Sequence, residues 1–378
     1  MNVSHFHFVN GQWTPSLPDK SNANWLLAFG HKSLMQEEGF IQSVRASFPN
    51  AEIMGCTTSG EIINTEVYDD SMVLTAIEFA NTQVKTSHVN IKDFNDSFAA
   101  GEHLSATIAK DNLKHIFVLS DGQQVNGSSL VRGLEKNLPP GVLITGGLAG
   151  DGDRFESTYI WHNELAQEGL ITIGGLYGDS IKIGHGSLGG WDTFGPDRLV
   201  TQSDENVLYE LDDTNALKLY KEYLGEYVHD LPASALLFPL YVTPPGGSPG
   251  VVRTILSIDE DKQSMTFAGN VTQGSYAKMM RANFDRLIDG AGEAAENALS
   301  LSSTESVGLA ILISCVGRRL ILKQRTEDEL ESVSEVIPDT PLCGFYSYGE
   351  ISPLLDTGSC KLHNQTMTIT MLTEDINA

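Results

Sequence analysis

WLLAFGHKSLMQEEGFIQSVRASFPNAEIMGCTTSGE, residues 25–61, is the stretch that decides the fold. Its apolar start, WLLAF, reads as a buried strand, and helical spacing then runs from Leu34 to Phe48 before Pro49 stops it. A second short strand, EIM, leads into a glycine loop that ends at Gly60-Glu61. The same order returns from His115: strand IFVLS, a helix near Ser128 to Asn137, Pro139-Pro140, strand VLI, and the loop TGGLAGD. Phe29 to Gly60 and Leu119 to Gly150 are both 31 residues apart. A third copy starts after Gly308 with LAILIS, an acidic helix near Glu327 to Val333, Pro338, and PLCGFYSYGE ending at Gly349-Glu350.

Downstream, Val73–His88 lies over Leu170–His185 without a gap, and both alternate as two strands with a turn near Asn81 or Gly178-Asp179. Each unit is therefore strand–helix–strand–loop–strand–strand. Repetition of that unit predicts an α/β fold of mixed sheets with helices packed against them. Different material separates the second and third copies. Leu217, Tyr220, Leu224 and Tyr227-Val228 recur at helical spacing behind Thr214 or Asn215 as N-cap. LLFPLYV follows, then a loop TPPGGSPG at 243–250, strand-like VVRTILSI and SMTFAGN, and a long helix expected from Ser275 to Leu299. A domain boundary is expected near 215–230.

The 24 basic and 49 acidic side chains leave a formal charge of −25, which repels nucleic-acid backbones and anionic lipid. Neither is expected as a partner. Cys56, Cys315, Cys343 and Cys360 form no metal-finger spacing and read as reduced thiols. The N-terminus MNVSHFHFVNGQW has no signal-peptide pattern, and no apolar run approaches the roughly 20 residues of a membrane span. A cytoplasmic location is expected.

No G-x-S-x-G, Walker or H-E-x-x-H signature occurs, and GAGEAA at 290–295 lacks the strand a dinucleotide fingerprint needs. Glu61, Asp151 and Glu350 each follow a glycine at a strand end. Such an acid closes its own loop by accepting backbone N–H groups, or meets an amine-bearing ligand; the first role is favoured because all three copies carry it. Arg253, Arg318 and Arg319 stand out because cations are scarce, and a guanidinium fork suits a carboxylate. His363, in HNQT, is expected to hydrogen-bond within its sheet, with ligand contact as the alternative.

Seven strings resemble the FIST proteins in order along nearly the whole chain: GCTTSGEI (55–62), GGLAGDGDRFEST (146–158), GGWDTFGP (189–196), VLYELD with NALKLYKEYLG (207–225), SCVGRR (314–319), GFYSYGEISP (344–353) and HNQT (363–366). DDTNAL departs from the family's G-x-P-A-L at one turn. The resemblance implies a FIST N-terminal domain at 24–219 and a C-terminal one at 220–370, serving as a non-catalytic sensory module. A stand-alone subgroup resembles haem proteins that sense nitric oxide and regulate a histidine kinase or a cyclic-di-GMP enzyme. That reading asks for haem, an axial ligand and an apolar slot. His185 enters a glycine-rich loop, so it is the candidate iron ligand, with Gly189, Gly190, Trp191 and Arg318 around the cofactor. The second reading is an amino acid or other metabolite held by Glu61, Asp151, Arg253, Glu350 and His363. An enzyme using the loop carboxylates is the alternative of another class. A homodimer is compatible with either sensory reading.

Overall fold

The computed structural model describes residues 1–231, 233–246, 249–302, 306–355 and 358–375. Gly247 and Ser248 of the TPPGGSPG loop lie outside the described residues. The repeated unit is present three times. Each copy has a parallel strand pair bridged by a helix, flanked by an antiparallel third strand and then a fourth strand. The parallel pairs are Trp25–Gly30 with Glu52–Thr57, Leu113–Ser120 with Leu143–Leu148, and Leu309–Cys315 with Leu342–Ser347. Met72–Glu78, Leu170–Tyr177 and Met367–Glu374 flank them. Asn2–Val9, Gln83–Asn90 and Ile181–Leu188 take the next places.

The hairpin that follows each glycine loop leaves its own unit. Glu61–Ile63 and Glu66–Tyr68, from the first unit, extend the third unit's sheet by pairing with Leu342–Ser347. Ile160–His162 and Leu165–Gln167, from the second unit, extend the first sheet. Gly349–Pro353 and Cys360–His363, from the third, extend the second sheet. The exchange is cyclic. The paired strands downstream of the first two hairpins also part company: Met72–Glu78 lies in the first sheet and Gln83–Asn90 in the second, Leu170–Tyr177 in the second and Ile181–Leu188 in the third.

Alternating side chains place one row of each sheet inward and the other outward. Trp25, Leu27, Phe29, Phe117, Leu119, Ile311 and Ile313 meet in one central core. On the outer faces, Leu26 and Ala28 pack on Phe40 and Val44, Ile116 and Val118 on Leu130 and Leu134, and Ala310 and Leu312 on Ala294 and Leu330. Strands buried on both sides need unbroken apolar runs, which is why WLLAF, IFVLS and LAILIS look alike.

A fourth sheet is inserted in the third unit, built from strands between Asp192 and Arg281. Its helix Ala216–Leu224 is capped by the Asn215 side chain, and the 219/220 boundary read from sequence falls inside that helix. The helix expected from Ser275 is shorter than the sequence suggests. Tyr276–Arg281 is a strand paired with Asp192–Asp204, and the helix runs Phe284–Ser302. Tyr276 and Lys278 alternate with the buried Ala277 and Met279, so cross-strand pairing overrides the helical spacing of the apolar residues.

Candidate functional site

Ligands of open α/β sheets gather outside the carboxyl ends of parallel strands. Here a cleft of about 630 Å³ opens at those ends, where all three units meet. Ser59 and Asp69 come from the first unit, Arg154 from the second, and Arg319, Lys323 and Glu327 from the third. The loops are cross-tied: the Gly152 N–H donates to Ser59 Oγ at 3.0 Å, and the Ser59 N–H donates to the Tyr346 carbonyl at 2.8 Å.

Arg319 is the central cation. Its Nη1 and Nη2 donate to the two oxygens of Asp69 at 2.7 and 2.6 Å, and Nη1 also donates to the Ser59 carbonyl at 2.6 Å. The fork lies 5.6 Å from the Tyr346 ring centroid. These donated bonds hold the Asp69 carboxyl below its usual range. Burial alone would lower the Arg319 pKa, and Asp69 more than offsets it, so the guanidinium stays charged. Arg154 and Lys323 line the same cleft, are exposed, and have no side-chain ion pair or hydrogen bond among the described residues. Lys323 ends the helix Val316–Leu322 at φ 53° and ψ −113°, a conformation unfavourable for a side chain bearing Cβ. Such strain persists where surrounding structure imposes it, and binding sites are where it clusters.

The three loop acids lie elsewhere, each held by donors of its own loop and of a second segment. Glu61 is buried and accepts from the Thr58 hydroxyl at 2.6 Å and the Ser71 hydroxyl at 2.8 Å. Burial pushes its pKa up to about 7. Glu350 accepts from the Ser347 hydroxyl at 2.6 Å and from the Thr366 hydroxyl and N–H at 2.9 and 3.2 Å; burial raises it to about 8. Asp151 accepts the N–H groups of Phe155, Glu156 and Ser157 at 2.9–3.0 Å, and the Tyr348 hydroxyl donates to it. Burial raises its pKa, but these donors bring it below the usual value. Asp151 alone of the three accepts several backbone N–H groups of its own loop, whereas hydroxyls supply most of the bonds to Glu61 and Glu350.

Arg318, one residue from the central cation, is wholly buried. Its Nε and Nη2 donate to Glu329 at 3.0 and 2.7 Å, Nη1 to the Gly189 carbonyl at 2.7 Å, and Nη2 also to the Leu287 carbonyl at 2.6 Å. Glu329, in the acidic helix Thr326–Val336, takes further bonds from Ser314 and Tyr346. Four of the five N–H donors of Arg318 are thus taken by protein groups. His363 Nε2 lies 3.0 Å from the Ser352 carbonyl, and burial lowers its pKa to about 4.

His185 sits mid-strand in Ile181–Leu188 rather than at its end. Burial lowers its pKa, and its Nδ1 has no partner. The glycines around it serve packing. A methyl at Gly184 or Gly186 would stand 2.2 Å from the Ala298 carbonyl or 1.9 Å from the Ala294 carbonyl, so both exist to let the helix Phe284–Ser302 lie directly on the strand. A methyl at Gly190 would likewise stand 1.9 Å from the Arg286 carbonyl, and the Trp191 indole donates to the Gln365 carbonyl at 2.8 Å. A haem needs an apolar slot beside its ligand. Gly189, Gly190, Trp191 and Arg318 are each packed against protein atoms, which leaves the buried His185 without the slot that group needs.

Asp69, Arg154 and Lys323 escaped the sequence reading because lone exposed charges look like solvated surface. The legible signal was the scarcity of cations together with Arg154 and Arg319 standing just after glycine-containing loop strings, GDGDR and SCVGRR.

A fold of three sheets exchanging hairpins around a shared core, with a charged cleft at the strand ends, defines a small-ligand receptor module. The chain belongs to the FIST family: the FIST N domain matches residues 24–214 and the FIST C domain residues 216–353. These are small-ligand sensor domains of signalling proteins, sensory rather than catalytic. Uncharacterized proteins of Mycobacterium tuberculosis strains CDC 1551 / Oshkosh and ATCC 25618 / H37Rv are each 20% identical to it over 348 residues, covering 90% of this chain and 88% of theirs. Among the described residues no helix is long and apolar enough to cross a membrane, and no group of His, Cys, Asp and Glu is arranged to hold a metal ion.

Proposed function

We propose that the protein senses a small zwitterionic metabolite, an amino acid or close analogue, in the cleft of Arg154, Arg319 and Lys323. The observation that carries this reading is two cations, Arg154 and Lys323, with no ion pair or side-chain hydrogen bond among the described residues, beside a third whose ion pair is with Asp69, in a chain of charge −25. A ligand carboxylate is recognised by these donors. Asp153 and Glu327, on the same walls, suit a ligand amine. Competition between that carboxylate and Asp69 for Arg319 would release the turn after Glu66–Tyr68, the hairpin that belongs to the first unit but lies in the third sheet. Binding is thereby coupled to a change between units, and a signalling enzyme, a histidine kinase or a cyclic-di-GMP enzyme, reads it out.

The test is isothermal titration with the twenty L-amino acids, on wild type and on Arg154→Ala and Lys323→Ala. One amino acid should bind, and each variant should weaken it about tenfold. Binding to none, or binding indifferent to both variants, overturns the assignment. A parallel haem titration decides against the cleft if a Soret band forms, responds to nitric oxide, and is lost in His185→Ala.

A further inference from the structure

The fold makes three related grooves, each between the helix of one unit and the hairpin received from another. The charged cleft is the third unit's. The second unit's groove is filled by the inserted sheet, whose Asn270 accepts from Asn126 Nδ2 at 2.9 Å. The first unit's groove, about 670 Å³ beside Met35, Ile41, Tyr159 and Leu165, is mainly apolar and unfilled.

The three hairpins seat in one register. Ile62, Ile351 and Trp161 each lie opposite a glycine of the receiving sheet: Gly344, Gly146 and Gly55. Across the hairpins their partners are Val67, Leu362 and Ala166. Along a strand, the N–H and C=O of successive residues turn to alternate sides. The Asn163 N–H donates to the Ile53 carbonyl at 3.0 Å, so Asn163 and, two residues back, Trp161 face the strand Glu52–Thr57. The backbone of Ala166, opposite Trp161, therefore faces outward.

In the other two copies that outward backbone is taken. The Val67 N–H donates to Glu327 at 3.1 Å, and the Leu362 carbonyl accepts from Arg253 Nη1 at 2.9 Å. Arg253 ends the inserted strand Val251–Arg253, which lies beside Cys360–His363. The second unit thus shows what such an edge accepts: an extended apolar segment whose arginine reaches the edge carbonyl. The N–H and C=O of Ala166 have no partner among the described residues.

Charge decides between a second copy and another protein. Leu165–Gln167 lies between Glu164 and Glu168, both exposed. Arg45, the cation of this groove, is already spent on Glu164, on the Phe48 and Ala51 carbonyls and on Asn163. A second copy pairing antiparallel about Ala166 would set Glu164 of one chain against Glu168 of the other, and like charges directly opposite destabilise a strand pair. A basic segment meets attraction instead, from these two acids and from a chain of charge −25.

We propose that Leu165–Gln167 and the groove beside it receive an extended segment of a partner protein, apolar in its middle and carrying lysine or arginine at both ends, as a further strand of the first sheet. The main chain of that segment bonds Ala166, and Glu164 and Glu168 hold its ends. Trp161 and Ala166 pack in one cluster with Phe40 and Ile41, so the side chain opposite Ala166 falls on the helix face, over the groove. The surface is separate from the charged cleft and does not depend on what that cleft binds.

A displayed library of random heptapeptides, selected on the full chain and counter-selected on Ala166→Pro, supplies the probes. Proline is tolerated on an edge whose N–H faces solvent, and it removes the donor. The enriched peptides should place apolar residues between lysines or arginines and slow hydrogen exchange of segment 164–168 in wild type. Glu168→Lys should weaken them about tenfold, and Arg154→Ala should leave their binding unchanged. If Ala166→Pro does not fold, Glu168→Lys and the exchange pattern decide. No enrichment, an acidic consensus, or protection that omits 164–168 overturns the proposal. Protection of 164–168 that grows with protein concentration, with no peptide present, would make the occupant a second copy and overturns it equally.

Discussion

The charged cleft and the filled groove share one backbone plan and have opposite contents. In the cleft, the hairpin Glu61–Tyr68 meets the third unit's acidic helix, where the Val67 N–H donates to Glu327, and still leaves Arg154 and Lys323 to solvent. In the groove, the hairpin Gly349–His363 meets a loop of the inserted sheet, and Arg253 is buried. A repeated fold can therefore keep one copy open for a ligand while another becomes a joint. Position in the unit does not assign the role; what the inserted sheet covers does.

The sharpest way to break the comparison is at the two adjacent arginines. Arg318→Ala strands Glu329 as a buried charge and should cost about 3–5 kcal/mol in urea unfolding. Arg319→Ala loses a partly exposed pair worth about 1 kcal/mol or less and should instead abolish ligand binding. Similar stability losses for both would erase the distinction between joint and cleft.

Next in size are the equivalent acids Glu61 and Glu350, one behind each region. The folded state holds their protons more tightly than the unfolded chain does, because burial raises both pKa values. Their destabilising effect is absent below about pH 4.5 and grows as pH rises to about 7 for Glu61 and about 8 for Glu350. Glu350→Gln should raise stability at pH 9 relative to wild type by on the order of 2 kcal/mol, and Glu61→Gln by less. Unfolding measured at pH 5 and pH 9 checks the sign; a loss that is larger at pH 9 refutes it.

The smallest effect is at the latch. Asp69→Asn leaves Arg319 free of a competing charge and should tighten amino-acid binding about threefold to tenfold with little change in stability. Weaker binding would mean that Asp69 holds the ligand itself.

Much of the architecture was legible because it is written in local spacing. WLLAF, IFVLS and LAILIS, each followed by a helix and a glycine loop, locate the three parallel pairs. The hairpin exchange was not legible, since alternation marks Glu61–Ile63 as a strand without naming Leu342–Ser347 as its partner. The site was harder still. The glycine-rich GSLGGW stretch after His185 suggested room for a flat cofactor, yet glycine marks close approach of any kind, and at Gly186 and Gly190 the visitor is a helix. Arg318 was rightly conspicuous, but its acid, Glu329, sat in a helix whose charges looked wholly solvent-facing.

The cyclic exchange also bears on how the chain is made. Synthesis delivers the first unit's strands before Ile160–Gln167, the hairpin that completes their sheet, and the second unit's before Gly349–His363. The hairpin Glu61–Tyr68 emerges early and must wait for Leu342–Ser347, some 280 residues later. A nascent chain halted before residue 349 exposes the strand Leu143–Leu148 as a raw edge, open to pairing with another chain. The arrangement that ties the finished molecule into a ring leaves every partial product unsealed.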